Sequence, residues 1–314
     1  MEVMILAGGL SHERDVSMRS GRRVLDALRA YGDNVTLHDV DADLIPALHA
    51  QHVDVVWPIV HGASGEDGSL QGLLEMLSVP YVGTAAKEAR VAWVKPVAKA
   101  VLGHTGIATP DFVTLPQSLF REVGAEQVLN AVASRFGLPV VVKPARGGSA
   151  LGVTLVTRAE DLAHAMVHCF AYGDIALIER AVVGTEVAVS VLGTGESARA
   201  LPGVEIVCDG PYDYDARYNP GRVEYFAPAR LSAAQSDAVA ATAVATHREL
   251  GLRDLSRVDV IVTEDGTVNV LDINVAPGLT EVSLFPQAVE AAGLDLGGLY
   301  REILVGAVDR GALA

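Results

Sequence analysis

Arg257-Val258-Asp259-Val260-Ile261-Val262-Thr263-Glu264-Asp265-Gly266-Thr267-Val268-Asn269-Val270-Leu271-Asp272-Ile273-Asn274 is the stretch around which the rest of this 314-residue chain arranges itself. Asp-Gly between two β-rich runs predicts a hairpin with a two-residue loop. With Asp265-Gly266 as that loop, Glu264 faces Thr267, Asp259 stands opposite Asp272, and Arg257 stands opposite Asn274. Strand alternation then puts those last four side chains on one face and Val258, Val260, Leu271 and Ile273 on the other. Like charges directly opposite each other repel, so the face requires a counter-ion or solvent. Two carboxylates and an amide oxygen suit a hard cation such as Mg²⁺, completed by water and phosphate oxygens. A solvated hairpin face fits the same register, and a bulge would break it.

Downstream, Asn274-Val275-Ala276-Pro277-Gly278-Leu279-Thr280-Glu281-Val282-Ser283 is rich in turn formers and could offer backbone N–H groups and a hydroxyl to an anion. It also reads as an ordinary strand-to-helix turn with Ser283 as N-cap. Upstream, Leu138 to Lys143 and Val153 to Val156 flank Pro144-Ala145-Arg146-Gly147-Gly148-Ser149-Ala150-Leu151-Gly152, a hairpin with a glycine-rich tip. Its amides could wrap phosphates with Lys143 as a point charge. No Gly-Lys-Ser/Thr follows, so it is not a Walker loop, and Gly8-Gly9-Leu10 is not a dinucleotide fingerprint. The missing fingerprint disfavours a hydride-transferring dehydrogenase.

Before these segments, strand and helix alternate. Val3 to Ala7 ends in a glycine turn; Val24, Ala27 and Leu28 recur at helical spacing; Val35 to Leu37, Val53 to Val60 and Val79 to Val82 read as further strands. Leu70, Leu73, Leu74 and Leu77 mark a helix between the last two, the grammar of a parallel sheet with covering helices. This α/β unit is expected over 1–88. A compact α+β unit with a helix at about 159–170 and a strand at 175–179 is expected over 89–183. The remainder, 184–314, carries strands at 186–192 and 204–207, a polar segment at 209–222, an Ala-rich helix at 233–250 and the hairpin.

Composition excludes several classes. Half the residues are hydrophobic and 20% are charged, as in a folded protein. A formal net charge of −15 repels polyanions, so nucleic acid is not the expected partner. Two cysteines, Cys169 and Cys208, make no disulfide framework and read as buried thiols in a reducing compartment. No run approaches the roughly 18 apolar residues of a membrane span, and the start lacks a basic, signal-like region. The expectation is a cytoplasmic protein with no membrane contact.

Taken in order, these segments resemble the ATP-grasp superfamily and, within it, the D-alanine:D-alanine ligase family, over essentially the whole chain. Leu6-Ala7-Gly8-Gly9-Leu10-Ser11-His12-Glu13-Arg14-Asp15-Val16-Ser17 is similar to that family's opening glycine loop, and His61-Gly62-Ala63-Ser64-Gly65-Glu66-Asp67-Gly68-Ser69-Leu70-Gln71-Gly72 to its most recognisable signature. The resemblance implies a three-domain ATP-grasp architecture: a Rossmann-like α/β N-terminal domain, a small α+β middle domain and an α+β C-terminal domain, with nucleotide between the last two. It implies ATP-dependent joining of two D-alanines through an acyl phosphate for peptidoglycan precursors, with ATP as co-substrate, two Mg²⁺ ions (Mn²⁺ as substitute), and a homodimer.

The implied roles are specific. Glu13 binds the first amino group; His61, Arg217, Ser283 and Leu284 lie on the substrates. Lys95, Lys143, Gly148 and Ser149 hold ATP phosphates. Glu179, Arg180 and Val182 hold adenine, and Glu186 the ribose. Asp259, Asp272 and Asn274 bind metal, while Arg257 and the Gly278 N–H hold the oxyanion. Tyr212-Asp213-Tyr214-Asp215-Ala216-Arg217-Tyr218 resembles the covering loop, and Tyr218 with Glu13 and Ser149 favours dipeptide over depsipeptide formation. The chain departs from the family pattern at Val94 before Lys95, at Asp272 for a usual Glu, at Arg217 for Lys, and at Gly147 and Ala150. Those departures also fit a paralogue joining a different amino acid pair in a biosynthetic or resistance pathway. A non-catalytic nucleotide-binding regulator would not need the set Arg257, Asp259, Asp272 and Asn274.

Overall fold

The computed structural model describes residues 1–208 and 221–312. The first unit runs β1 (Glu2–Ala7), α1 (Arg14–Ala30), β2 (Asn34–Asp39), α2 (Leu44–Ala50), β3 (Val55–Pro58), α3 (Ala63–Glu66) and α4 (Ser69–Met76), followed by α5 (Ala86–Trp93) and α6 (Lys95–His104). Its parallel sheet has the order β2-β1-β3. The segment 79–82, expected as a fourth strand, makes only an isolated bridge between Val56 and Tyr81, so three strands close this sheet. The helices α5 and α6 are broken from each other at Val94, with Pro96 in the first turn of α6 where its missing N–H costs no hydrogen bond.

The second unit contains β4 (Phe112–Pro116), α7 (Gln117–Val123), α8 (Ala125–Phe136), β5 (Val140–Pro144), β6 (Thr154–Val156), α9 (Leu162–Phe170) and β7 (Ile175–Arg180). The antiparallel sheet β4-β7-β5-β6 buries one face on α8 and α9 through Val140, Val142, Ile178, Val132, Phe136, Leu162 and Met166. The expected β5–β6 hairpin is present, with Val140 opposite Val156, and its other face is left to the cleft.

The third unit holds β8 (Thr185–Leu192), β9 (Arg199–Ala200), β10 (Val204–Cys208), β11 (Val223–Phe226), α10 (Ala233–Glu249), β12 (Leu255–Val262), β13 (Val268–Asn274), α11 (Leu284–Ala291) and α12 (Leu296–Arg310). Its antiparallel path is β11-β10-β8-β12-β13, with β9 on β8. Alternation works here as the valines predict. Val187, Val189, Val191, Val258, Val260 and Val262 point to one face, where α10 and the α5–α6 pair cover them with Val239, Ala243, Ala89, Ala98 and Leu102. The opposite face has two uses. Ala188 and Leu192 join Trp57, Leu28, Phe285, Tyr300 and Leu304 in a core that fuses this sheet to the first. Arg257, Asp259 and Glu186, on the same face, open into a cleft.

The central hairpin differs from expectation in an instructive way. The loop has three residues, Glu264-Asp265-Gly266, closed by Thr263 and Thr267 (N···O 3.0 Å), with Gly266 at φ 84°. That shifts the register by one, so Val260 pairs with Val270. A β-bulge between the Val260–Val270 and Asp259–Asp272 pairs shifts it back, and Asp259 faces Asp272 and Arg257 faces Asn274 as expected. The extra residue is Leu271. It lines the cleft rather than joining Val258 and Val260 in the core, and Val270 takes the core place instead.

Of the two cysteines, Cys169 is buried in the middle core, whereas Cys208 is only half-buried. Among the described residues no helix is long and apolar enough to cross a membrane.

Candidate active site

The cleft between the second and third units is a cavity of about 640 Å³ that reaches the first unit. Its floor is the polar end of the β8–β12–β13 sheet: Glu186, Asp259, Arg257, Leu271, Asp272 and Asn274. Its roof is the glycine hairpin tip with Gly147, Gly148 and Ser149. Every described residue to which the resemblance gives a role lines this one cavity: Glu13, His61, Lys95, Lys143, Gly148, Ser149, Glu179, Arg180, Val182, Glu186, Arg257, Asp259, Asp272, Asn274, Gly278, Ser283 and Leu284. Arg217 and Tyr218 lie outside the described residues.

The counter-ions demanded by the facing carboxylates are present. Arg257, two residues from Asp259 on the same strand face, grips it with two hydrogen bonds of 2.7 and 2.9 Å. Lys95 Nζ donates to Asp272 at 2.6 Å. Asn274 Oδ1 accepts the Ala276 N–H at 2.8 Å and so opens the loop that follows.

A second charge cluster lies deeper. Glu179 is 3% exposed and accepts from Lys143 at 2.5 Å and Lys99 at 2.9 Å. Burial alone would raise its carboxyl, but the two lysines outweigh burial and hold it below the ordinary carboxylate range. Burial pushes the Lys99 ammonium down. Lys99, which the sequence reading passed over, also donates to Thr109 Oγ1. Lys143 further reaches the Leu271 carbonyl at 3.2 Å, tying the middle sheet to the bulge.

At the other end of the cavity, Glu13 caps the start of α1 by position but not by side chain. Its carboxylate turns outward and accepts from Ser149 Oγ, across the gap between the first unit and the hairpin tip. Ser149 and Ala150 adopt φ 49° and 56°, a left-handed pair in non-glycine residues that shapes the tip. Ser283 stands at the N-cap of α11 without capping it: its Oγ accepts the Thr280 N–H at 3.0 Å and lies 2.8 Å from Thr280 Oγ1. Gly278 leaves room for that hydroxyl, because a Cβ there would approach Ser283 Oγ to 2.8 Å and displace it.

From the stretch 61–72, His61 and Glu66 line the cavity. His61 is buried, with Nδ1 3.0 Å from the Ala276 carbonyl, which makes Nδ1 the donor and leaves Nε2 the unprotonated nitrogen of a neutral ring. Nε2 is buried without a partner among the described residues, and burial lowers the ring's proton affinity. Gly62 and Gly68 adopt φ 77° and 84°, and a Cβ on Gly65 would overlap the Val60 carbonyl oxygen at 1.8 Å. This tight loop turns Glu66 inward, where Oε1 accepts the Gly62 N–H at 2.7 Å. Glu66 was missed as a site residue at the sequence level. A glutamate bracketed by three glycines was the available signal.

Comparison with known proteins agrees with this architecture. Residues 101–305 match the family model described as D-ala D-ala ligase C-terminus, and residues 44–84 match D-ala D-ala ligase N-terminus. The chain is 41% identical over 306 residues to the D-alanine--D-alanine ligase of Anaeromyxobacter sp. (strain K), covering 97% of this chain and 96% of the relative. It is 36% identical to that of Pelotomaculum thermopropionicum over 97% and 96% of the two chains. Among solved structures, the D-alanine-D-alanine ligase from Coxiella burnetii superposes with a TM-score of 0.83 at 25% identity, covering 99% of this chain and 96% of that one. The D-alanine--D-alanine ligase from Bacillus anthracis superposes at 0.82 and 27%, covering 99% and 98%. The three-sheet architecture is thus that of an ATP-grasp enzyme, and the chain belongs to the D-alanine–D-alanine ligase family.

Proposed function

We propose that this protein joins two molecules of D-alanine to D-alanyl-D-alanine, at the expense of ATP and through an acyl phosphate, for peptidoglycan precursor synthesis. The observation that carries the reading is the convergence, in one cavity, of the Asp259–Asp272 pair, the Lys95 and Lys143 ammonium groups and the Glu13–Ser149 contact. Adenine would lie in the apolar part of the cleft, where Val141, Leu155, Val182 and Leu271 offer flat cover beside Glu179 and Arg180, with Glu186 toward the ribose. The phosphates would run toward Lys143, Lys95 and the amides of Gly148 and Ser149, as point charges and N–H donors require.

The donor set fits a divalent cation. Asp259, Asp272 and the Asn274 side chain present hard oxygens on one hairpin face, and among the described residues no third His, Cys, Asp or Glu closes a cage around them. Such a set holds Mg²⁺ only with phosphate oxygens and water, as a nucleotide enzyme needs, and two ions or Mn²⁺ in their place are compatible. When bound, the metal neutralises phosphate charge and polarises the γ-phosphoryl group. Without nucleotide, Arg257 and Lys95 supply that positive charge.

The protein's own part is positioning and electrostatics. Glu13 receives the ammonium of the first D-alanine, whose carboxylate attacks the γ-phosphorus and releases ADP. The second D-alanine, its carboxylate toward Ser283 and the Leu284 N–H and its body beside His61, attacks the acyl carbon. Arg257 and the Gly278 N–H stabilise the tetrahedral oxyanion before phosphate leaves. Arg217 and Tyr218 would cover the site and exclude water. A cytoplasmic homodimer belongs to the same reading. Phosphate release from ATP and Mg²⁺, measured over a panel of D- and L-amino acids and hydroxy acids with products weighed, tests it. D-alanine alone should suffice and yield its dipeptide; release only with another pair would sink the substrate assignment.

A further inference from the structure

The ligase reading leaves one step without an agent. The second amino acid arrives as an ammonium ion, which has no lone pair, and it must lose a proton before it can attack. Glu13 and Asp259 are engaged by Ser149 and Arg257, and Asp272 by Lys95. One further carboxyl lines the cavity from the first unit: Glu66, 6% exposed.

Three observations place Glu66 at the reacting end. It lines the same cavity as Glu13, where the first amino group would sit, and Lys95, where the phosphate would sit, and Gly62, whose N–H it accepts, lies against Glu13: a Cβ on Gly62 would stand 3.1 Å from Glu13 Oε2. An amino acid spanning those two ends carries its acyl carbon between them, alongside Glu66. The carboxyl is held by a purpose-built turn, with Gly62 at φ 77°, Gly65 against the Val60 carbonyl and the Gly62 N–H on Oε1. Among the described residues, Oε2 has no hydrogen-bond partner, so it remains available to the cavity. Burial first, and then the Glu13 charge, raise this carboxyl to about 8, against the smaller opposing pulls of the Gly62 N–H and Lys95. That is far closer to an amine than an ordinary carboxylate lies, and it makes proton transfer less uphill.

We propose, resting on the ligase reading above, that Glu66 is the base that takes the proton from the ammonium of the second amino acid. The Glu66 carboxylate accepts one N–H proton, leaving a neutral amine and a carboxylic acid. The amine lone pair forms the C–N bond while the carbonyl π pair moves onto oxygen. When the oxyanion reforms the carbonyl, the C–O bond to phosphate breaks, and the remaining surplus N–H proton leaves with phosphate. Occupancy of Glu13 by the first ammonium removes the like charge facing Glu66 and so favours its ionised, accepting form once the first substrate is bound.

Hydroxylamine separates this role from a structural one, because it is a neutral nucleophile near pH 7 and attacks an acyl phosphate without a base. Dipeptide and hydroxamate formation from D-alanine should be measured from pH 6 to 10 in wild type, Glu66→Gln and Glu66→Asp. In Glu66→Gln, kcat for dipeptide should fall at least about 100-fold and lose its rise between pH 7 and 9, whereas hydroxamate formation should change by no more than a few-fold. Glu66→Asp, which keeps the carboxyl one methylene back, should fall between wild type and Gln. Equal losses with both acceptors, or wild-type dipeptide synthesis in Glu66→Gln, would overturn the proposal. Wild-type protein that makes neither product from D-alanine would overturn the ligase reading and this inference together.

Discussion

Asp259 and Asp272 face each other directly across β12 and β13, and each carboxylate carries its own cation, Arg257 at 2.7 Å and Lys95 at 2.6 Å. The two cations come from different places: Arg257 from the same strand, Lys95 from the first turn of α6. The pair is therefore half built into the sheet and half imported by tertiary packing. Asp272→Asn should lower turnover at least about 100-fold, or about 2.7 kcal/mol in the barrier, since the amide cannot replace a charged ligand. Because the Asp272 side chain is about one-third exposed, its stability should change by less than about 1 kcal/mol. ADP formation and thermal unfolding on the same preparation check both; activity near wild type would undo the metal assignment.

Gly65→Ala should destabilise the protein by more than about 3 kcal/mol, because the new Cβ would stand 1.8 Å from the Val60 carbonyl oxygen and 2.5 Å from its carbonyl carbon, backbone atoms that cannot swing aside as a side-chain tip can. The matched control is Gly306→Ala, in the exposed middle of α12 with nothing within 4 Å of the new Cβ. It should gain roughly 0.5–1 kcal/mol from helix propensity and reduced unfolded-state entropy. Urea titrations of the two variants should move in opposite directions.

His247 is fully buried between the Ser256 hydroxyl at 2.7 Å and the Gly193 carbonyl at 3.1 Å, and burial lowers it to about 4. The unfolded chain takes up its proton near 6.5, so the neutral ring contributes fully above that pH and its contribution is lost as pH falls toward 4. The loss should reach roughly 3 kcal/mol. A His247→Gln variant, though less stable at pH 7, should show a shallower decline in unfolding free energy between pH 6.5 and 4.

Glu66 gives the opposite slope. Its carboxyl is raised to about 8 in the folded protein, so wild type loses stability as pH climbs from the unfolded value of 4.5 toward 8. Glu66→Gln removes that titration and should gain on wild type through this window, by up to about 5 kcal/mol as an upper bound. Parallel melting curves of the two proteins from pH 5 to 9 would speak against a raised carboxyl.

Much of this was legible in the residues, for reasons that differ by element. The valine alternation of β8 and β12 and the Asp-Gly signal are local, and they located both the core face and the polar face. The opposition of Asp259 and Asp272 was read correctly although the loop is one residue longer than expected, because the bulge at Leu271 returns the residue that the loop removes. Neither feature has a sharp local signature, so the placement of Leu271 in the cleft was not accessible. Strand 79–82 failed for another reason: Val79 and Val82 satisfy the apolar pattern by packing, while only a single bridge to Val56 forms. Lys99 and Glu66 were invisible as site residues because what marks them is burial beside charges distant in sequence, at Glu179 in one case and at Glu13 and Asp272 in the other.

The core that joins the first sheet to the third unit has a consequence for how the protein is made. Tyr300, Ile303 and Leu304 of the last helix pack on Val24, Leu28 and Trp57, with the Tyr300 and Trp57 rings edge to face at 5.3 Å. Asp33, between α1 and β2, takes the Met1 ammonium at 3.0 Å and Arg301 at 3.5 Å. During vectorial synthesis, the first unit leaves the ribosome long before the helix that completes its hydrophobic face. It must therefore wait, partly uncovered, until residues near 304 emerge, and the nascent chain spends most of its translation time with that apolar surface available to a chaperone.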